Sequence, residues 1–251
     1  MNWPLVGILA VTGLVIGWCL RPVVHRYGVP AGEPPGRACR ECGQQILRPP
    51  AHPHWLAVLS SGRCPACRAR IGPPLLVLEL TTAVLFGALA ARVHPGLVLA
   101  AACWLAAGAV ALAWIDVAVQ RLPDALTASA YAGTVAFLLL AAATSGHWAD
   151  LLRALLGGLA LAAAYLALAV VSRSALGLGD VKLAASLGTL AAWPGWPTLI
   201  AGAFAGFLLG AIYGIALLIS GRATRNQKIP FGPFMIAGAF LVILAAPLAG
   251  S

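Results

Sequence analysis

Apolar stretches at residues 3–20, 75–91, 97–115, 125–143, 151–171, 183–193, 198–219 and 231–249 take up most of this 251-residue chain. Most of them approach the roughly 20 residues that an α-helix needs to cross a hydrocarbon core. The expected fold is therefore an all-α polytopic membrane protein of about eight transmembrane helices. Composition agrees: with 61% hydrophobic and 9% charged residues and a mean hydropathy of +0.92, the chain has too little polar surface for water. The 183–193 stretch is short, and must borrow from Gly177-Leu178-Gly179-Asp180-Val181-Lys182 before it or Pro194-Gly195-Trp196-Pro197 after it. The first stretch has no basic start and no small-residue cleavage site, and further spans follow it, so it reads as a retained helix and not a secretion signal.

The basic residues set the orientation, because Lys and Arg near span ends remain in the cytoplasm. With the N-terminus outside, Arg21, Arg26, Arg37, Arg40, Arg48, Arg63, Arg68, Arg70, Arg121, Arg173, Lys182, Arg222, Arg225 and Lys228 share the cytoplasmic side, and Arg92 and Arg153 fall opposite. Topology thus accounts for most of the formal charge of +9. No nucleic-acid partner is needed, and the basic face suits anionic membrane lipid.

The expected organisation is a first transmembrane helix (1–20), a polar cytoplasmic loop (21–73) and a membrane bundle (74–251). The loop carries Cys39-Arg-Glu-Cys42 and Cys64-Pro-Ala-Cys67, two C-x-x-C pairs with 21 residues between them. That spacing brings four thiolates round one tetrahedral zinc ion. Disulfides are the alternative, but cytoplasmic thiols are kept reduced. Such a site is closed, with no position for water, so its role is to order the loop. His52 and His54 read as surface histidines, and Cys19 and Cys103 as small core residues of apolar spans. Gly202, Gly206, Gly210 and Gly214 recur every fourth residue, clearing one helix face for a close neighbour or, on a functional reading, for a peptide groove.

Acids are scarce: Glu33, Glu41, Glu79, Asp116, Asp124, Asp150 and Asp180 are all there are. A carboxylate within a span costs about 2.5–3.5 kcal/mol on insertion scales, so each needs a reason. Asp116 and Asp180 end spans directed at the same face. Two carboxylates that meet within a few ångströms cannot both ionise; they share a proton, so that one activates water and the other polarises a carbonyl. Gly177 and Gly179 would let the backbone unwind beside Asp180 and admit a substrate strand. Asp124 reads as the N-cap of the following span, Asp150 as another cap, Glu79 as the partner of an Arg in the bundle, and Lys182 as a side chain that snorkels to the headgroups or pairs with Asp180.

Trp114-Ile115-Asp116, Leu122-Pro123-Asp124-Ala125-Leu126-Thr127, Gly177-Leu178-Gly179-Asp180-Val181-Lys182-Leu183 and Ile229-Pro230-Phe231-Gly232-Pro233-Phe234 resemble the membrane-domain signatures of the type IV prepilin peptidases, the GxGD aspartyl proteases of the membrane. The paired C-x-x-C loop resembles the cytoplasmic insertion of the longer members. The resemblance covers nearly the whole chain. It implies that Asp116 and Asp180 are catalytic in an inner-membrane enzyme that cuts the basic leader from type IV prepilin or pseudopilin precursors at the cytoplasmic face. Many members then methylate the new N-terminus with S-adenosylmethionine. Three stretches depart from the family pattern and bear on that second activity: Gly17-Trp18-Cys19-Leu20-Arg21-Pro22, Arg48-Pro49-Pro50-Ala51-His52-Pro53-His54, and Pro74-Leu75-Leu76 before Glu79. Other chemistries fit less well. A zinc metalloprotease needs H-E-x-x-H or a similar motif, and a serine protease needs a histidine base inside the bundle, whereas His94 and His147 fall in outer loops. A transporter with paired intramembrane carboxylates is the non-enzyme alternative; its site would lie near the bilayer midplane.

Overall fold

The computed structural model describes residues 2–30, 33, 35–46, 62–172, 177–221 and 230–245. Eight α-helices run through these residues: α1 (Trp3–Tyr27), α2 (Val77–Arg92), α3 (Leu97–Val119), α4 (Asp124–Ser145), α5 (Trp148–Ser172), α6 (Leu178–Ala192), α7 (Trp196–Ile219) and α8 (Gly232–Ala245). Five of them, α1, α3, α4, α5 and α7, are long and apolar enough to cross a membrane. The expected short span does recruit polar residues, since α6 begins at Leu178 and takes Asp180 and Lys182 into its first turns. Its 15 residues rise about 22 Å, less than the roughly 30 Å of hydrocarbon. His52 and His54, and the expected cytoplasmic residues Arg48, Arg173, Arg222, Arg225 and Lys228, lie outside the described residues.

Helix α1 runs seven residues beyond the expected boundary at residue 20, through Pro22 to Tyr27. The polar Arg21 does not stop it, because Arg21 is fully buried and pairs with Glu79 of α2. Its guanidinium also donates to the carbonyls of Pro73 at 3.2 Å and Pro74 at 3.0 Å. This buried fork ties the end of the cysteine loop to the membrane helices, and it realises the expected Glu79–Arg partnership.

Helices pack mainly in pairs, α1 with α2, α3 with α4, α5 with α6, and α7 with α8. Small residues let the backbones touch, as they do where helices associate in lipid. A Cβ added to Gly13 of α1 would come within 2.6 Å of the Ala83 Cα. Gly202 and Gly206 of α7 lie against Ala239 and Met235 of α8, and Gly210 against Phe231. The glycine ridge thus serves helix packing at these three positions.

Helices α3 and α6 sit innermost. The most apolar window of α3 is 56% buried, against 11% for those of α1 and α7. Ala101, Leu105, Ala109 and Leu112 of α3, with Leu183, Leu187 and Leu190 of α6, form the centre of the core. The two innermost helices are also the two that carry Asp116 and Asp180.

Candidate functional site: an acidic pair at one end of the bundle

Asp116 lies in the last turn of α3, which continues to Val119 and closes at Gln120 in the left-handed region (φ 50°). Asp180 lies in the first turn of α6. Both side chains are buried, α3 touches α6, and the charge of Asp180 acts on Asp116. One oxygen of each carboxylate accepts a backbone N–H: Gly177 donates to Asp180 Oδ2 and Gly232 to Asp116 Oδ2, each at 3.0 Å.

These contacts follow from helix ends. The first backbone N–H groups of a helix have no acceptor within it. Asp180 reaches back from the third helical position to the N–H of the capping residue Gly177, as the acid of a capping box does. Asp116 plays the same part from outside for the start of α8. The N-terminal dipoles of α6 and α8 therefore both converge on the acidic pair.

Around the pair, several sequence expectations change. Gly177 is extended, as the N-cap that precedes α6, whereas Gly179 is helical and does not unwind the backbone. Gly179 is needed for packing, since a Cβ there would meet the Leu122 Cβ at 2.8 Å. Asp124 is the first residue of α4, whose N-cap Pro123 has no side-chain cap bond. Its carboxylate instead accepts Lys182 Nζ at 2.6 Å, so Lys182 pairs with neither Asp180 nor the headgroups alone. Asp150, expected as a cap, lies in the first turn of α5 and pairs with Arg153 at 2.8 Å. Cys103 is buried as expected, whereas Cys19 is exposed and faces an apolar groove between α1 and α3.

Two residues beside the pair were missed. Gly232 belongs to a recognised signature, but nothing in the sequence says that its N–H reaches a residue 116 positions away. Tyr165 of α5 is buried, lies within electrostatic reach of Asp180, and stacks on Phe207 with ring centroids 5.3 Å apart. Phe231 completes this aromatic cluster. The available signal was that Tyr165 interrupts the apolar run of α5 with a hydroxyl.

The four loop cysteines do converge. Cys39 Sγ lies 3.6 Å from Cys67 Sγ and Cys42 Sγ 3.6 Å from Cys64 Sγ, and all four sulfurs fall within 4.8 Å of one another. Zinc–sulfur bonds of about 2.3 Å in a tetrahedron separate the sulfurs by about 3.8 Å, so the set fits a metal such as zinc. Two matching turns present them. Cys39 N–H donates to Gln44 and Gly43 N–H to Cys39, and likewise Cys64 N–H to Ala69 and Arg68 N–H to Cys64. The fourth residue after the first cysteine has positive φ in both, Gly43 at 72° and Arg68 at 59°. Burial opposes ionisation of Cys64, but hydrogen bonds from the Cys67 and Ala66 backbone and from the Cys42 and Cys67 thiols together outweigh it and bring this thiol down to about 7, while its neighbour Cys67 is pushed up to about 12; the thiolate of the set, the form that binds metal, is favoured at Cys64.

The chain matches the type IV leader peptidase family over residues 99–215 and the bacterial peptidase A24 N-terminal domain over residues 11–93. It is 33% identical to the prepilin leader peptidase/N-methyltransferase of Aeromonas salmonicida, over 84% of this chain and 71% of that protein. For the protein of the same name from Stutzerimonas stutzeri the identity is 31%, over 93% and 88% of the two chains. For that of Bacillus subtilis it is 30%, over 84% and 82%. No solved structure matches the chain. With signatures, helices and relatives in agreement, this integral membrane chain belongs to the type IV leader peptidase family.

Proposed function

We propose that this chain is an inner-membrane aspartyl endopeptidase that removes the leader from type IV prepilin or pseudopilin precursors at the cytoplasmic face, with Asp116 and Asp180 as its catalytic pair. The observation that carries this reading is the acidic pair itself: two buried carboxylates at one end of the two innermost helices, which touch, each anchored through one oxygen. The other oxygens are left to share a proton and hold a water. The ionised carboxylate takes a proton from that water as its oxygen attacks the scissile carbonyl carbon, and the protonated carboxyl gives its proton to the carbonyl oxygen. Collapse of the tetrahedral diol breaks the C–N bond. The proton held by the first carboxylate then passes to the leaving amine, and the diol returns a proton to the second.

The position of the acids disfavours the transporter reading. Asp116 sits in the last turn of one helix and Asp180 in the first turn of another, whereas a transport site lies near the midplane. Cys39, Cys42, Cys64 and Cys67 would hold a structural zinc ion, which supplies folding energy to the loop and takes no part in cleavage. A second reaction, transfer of one methyl group from S-adenosylmethionine to the new N-terminus, is suggested by the relatives' name.

The test is mass spectrometry of a prepilin-type precursor incubated with purified protein in detergent, with and without S-adenosylmethionine. Loss of a leader-sized peptide is expected, followed by a gain of one methyl. An intact precursor in the presence of well-folded protein would overturn the peptidase assignment.

A further inference from the structure

We infer that Gly232 is a positioning residue for Asp116: its backbone N–H aims the carboxylate, and its missing side chain leaves room for it. The inference rests on the reading of Asp116 as a catalytic acid. Gly232 opens α8, so its N–H is one of the donors that the helix itself cannot satisfy. The next bonds of the helix run from Phe234 and Met235 back to the Phe231 carbonyl, and the Gly232 N–H goes to Asp116 Oδ2. The bond is buried and joins residues 116 positions apart. A side chain at this place would meet the Asp116 carboxylate. A Cβ on Gly232 would stand 2.9 Å from Asp116 Oδ2 and 3.4 Å from its Cγ, closer than carbon and carboxylate normally pack. The carboxylate would have to shift from its place at the N–H to make room.

The rest of α8 locks this donor in place. Gly238, two turns further on, abuts the Gly206 backbone of α7, and Gly206 in turn abuts Met235. Phe231, just before the donor, is held by Phe207 and Tyr165, with centroids at 5.2 and 6.1 Å. The glycine seam between α7 and α8 therefore sets where the N–H of Gly232 points.

Two measurements on the full-length protein test this. In the first, hydrogen exchange at the Gly232 amide is followed in wild type and in Asp116→Ala. Slow exchange that becomes fast when the acceptor is removed is expected, and unchanged exchange would overturn the bond. In the second, kcat and KM for a precursor are compared in Gly232→Ala, Gly238→Ala and Asp116→Asn, with thermal unfolding of each. Displacing a reacting group by about 1 Å can cost about 100-fold in rate, so Gly232→Ala should lose about that much kcat with KM and unfolding temperature little changed. Gly238→Ala, whose Cβ would meet the Gly206 backbone, shifts the seam that aims the donor and should lower both kcat and the unfolding temperature. An inactive Asp116→Asn beside a Gly232→Ala of normal kcat would overturn this inference alone. An active Asp116→Asn would overturn the aspartyl reading beneath it. Should Gly232→Ala fail to fold, the exchange measurement decides.

Discussion

The cysteine module and the acidic end of the bundle assemble their reactive groups by opposite means. In the module, each pair of ligands comes from one turn of chain, held by bonds within five residues such as Cys39 N–H to Gln44 and Arg68 N–H to Cys64. Spacing alone almost dictates its geometry. At the acidic end, the carboxylates come from different helices, and the N–H that orients Asp116 comes from a third. There the geometry depends on how helices seat against one another, so glycines at the contacts matter as much as the acids. A locally built site tolerates distant change, and a site built by packing does not.

The largest expected effect separates the two regions cleanly. Asp116→Asn and Asp180→Asn keep the shape but remove the titrating group, and each should lower cleavage by about 1,000-fold or more. Because groups that act as a unit are non-additive, the double variant should be hardly worse than either single one. Zinc content, measured by metal analysis, should be unchanged in all three. Cleavage near the wild-type rate in either single variant would remove the aspartyl mechanism.

The converse change comes next. Reduced protein should carry one zinc ion per chain, and Cys67→Ser should lose it, since all four thiolates are needed to close the tetrahedron. Loop order, read by limited proteolysis, and methyl transfer should suffer more than peptide cleavage. Equal and complete loss of both reactions at normal protein levels would show that the module is part of the peptidase site.

The joint between the regions should respond more moderately. Arg21 and Glu79 are both buried, so removing one partner strands the other charge at a cost of about 3–5 kcal/mol. Glu79→Gln or Arg21→Met should therefore lower the unfolding temperature markedly. The double change to Arg21→Met with Glu79→Leu should recover much of the loss, since apolar pairs often replace buried ions without penalty. A double variant as unstable as the worse single one would mean that the Pro73 and Pro74 carbonyls, not Glu79, are the partners that matter.

What the sequence made legible follows the same division. The cysteine cluster could be read from spacing, the spans from apolar length, and the acidic pair from scarcity combined with the placement of Arg and Lys. Features that depend on tertiary partners could not. Arg21 reads as one more interfacial cation, although it is buried against a carboxylate 58 residues away. Cys19 reads as core because its span is apolar, yet in a membrane helix an apolar surface faces lipid as readily as protein. Gly232 stands in a recognised signature, but a backbone donor leaves no trace in side-chain chemistry. Asp124 reads as a cap because a local rule favours Asp before a helix, and that rule cannot see a lysine on another helix.

The Asp124–Lys182 pair gives the smallest effect and the finest test of where the acidic site ends. It joins the start of α4 to α6 two residues beyond Asp180, so it could be taken for part of the chemistry. Its exposure argues otherwise: the side chains are 77% and 49% accessible, and solvent screens such pairs to about 0–1 kcal/mol. Asp124 also sits in the first turn of α4, where a negative charge gains about 0.3–1 kcal/mol from the helix dipole. Asp124→Asn should therefore lower stability slightly and leave most of the cleavage activity. A double-mutant cycle with Lys182→Met should return a coupling of about 0.2–1 kcal/mol that shrinks with added salt, because exposed charges are screened within about 10 Å at 0.1 M. A loss of cleavage as deep as that of Asp180→Asn, with the fold intact, would instead draw Asp124 into the catalytic group. It would also extend to α4 the dependence on helix seating that already governs Asp116.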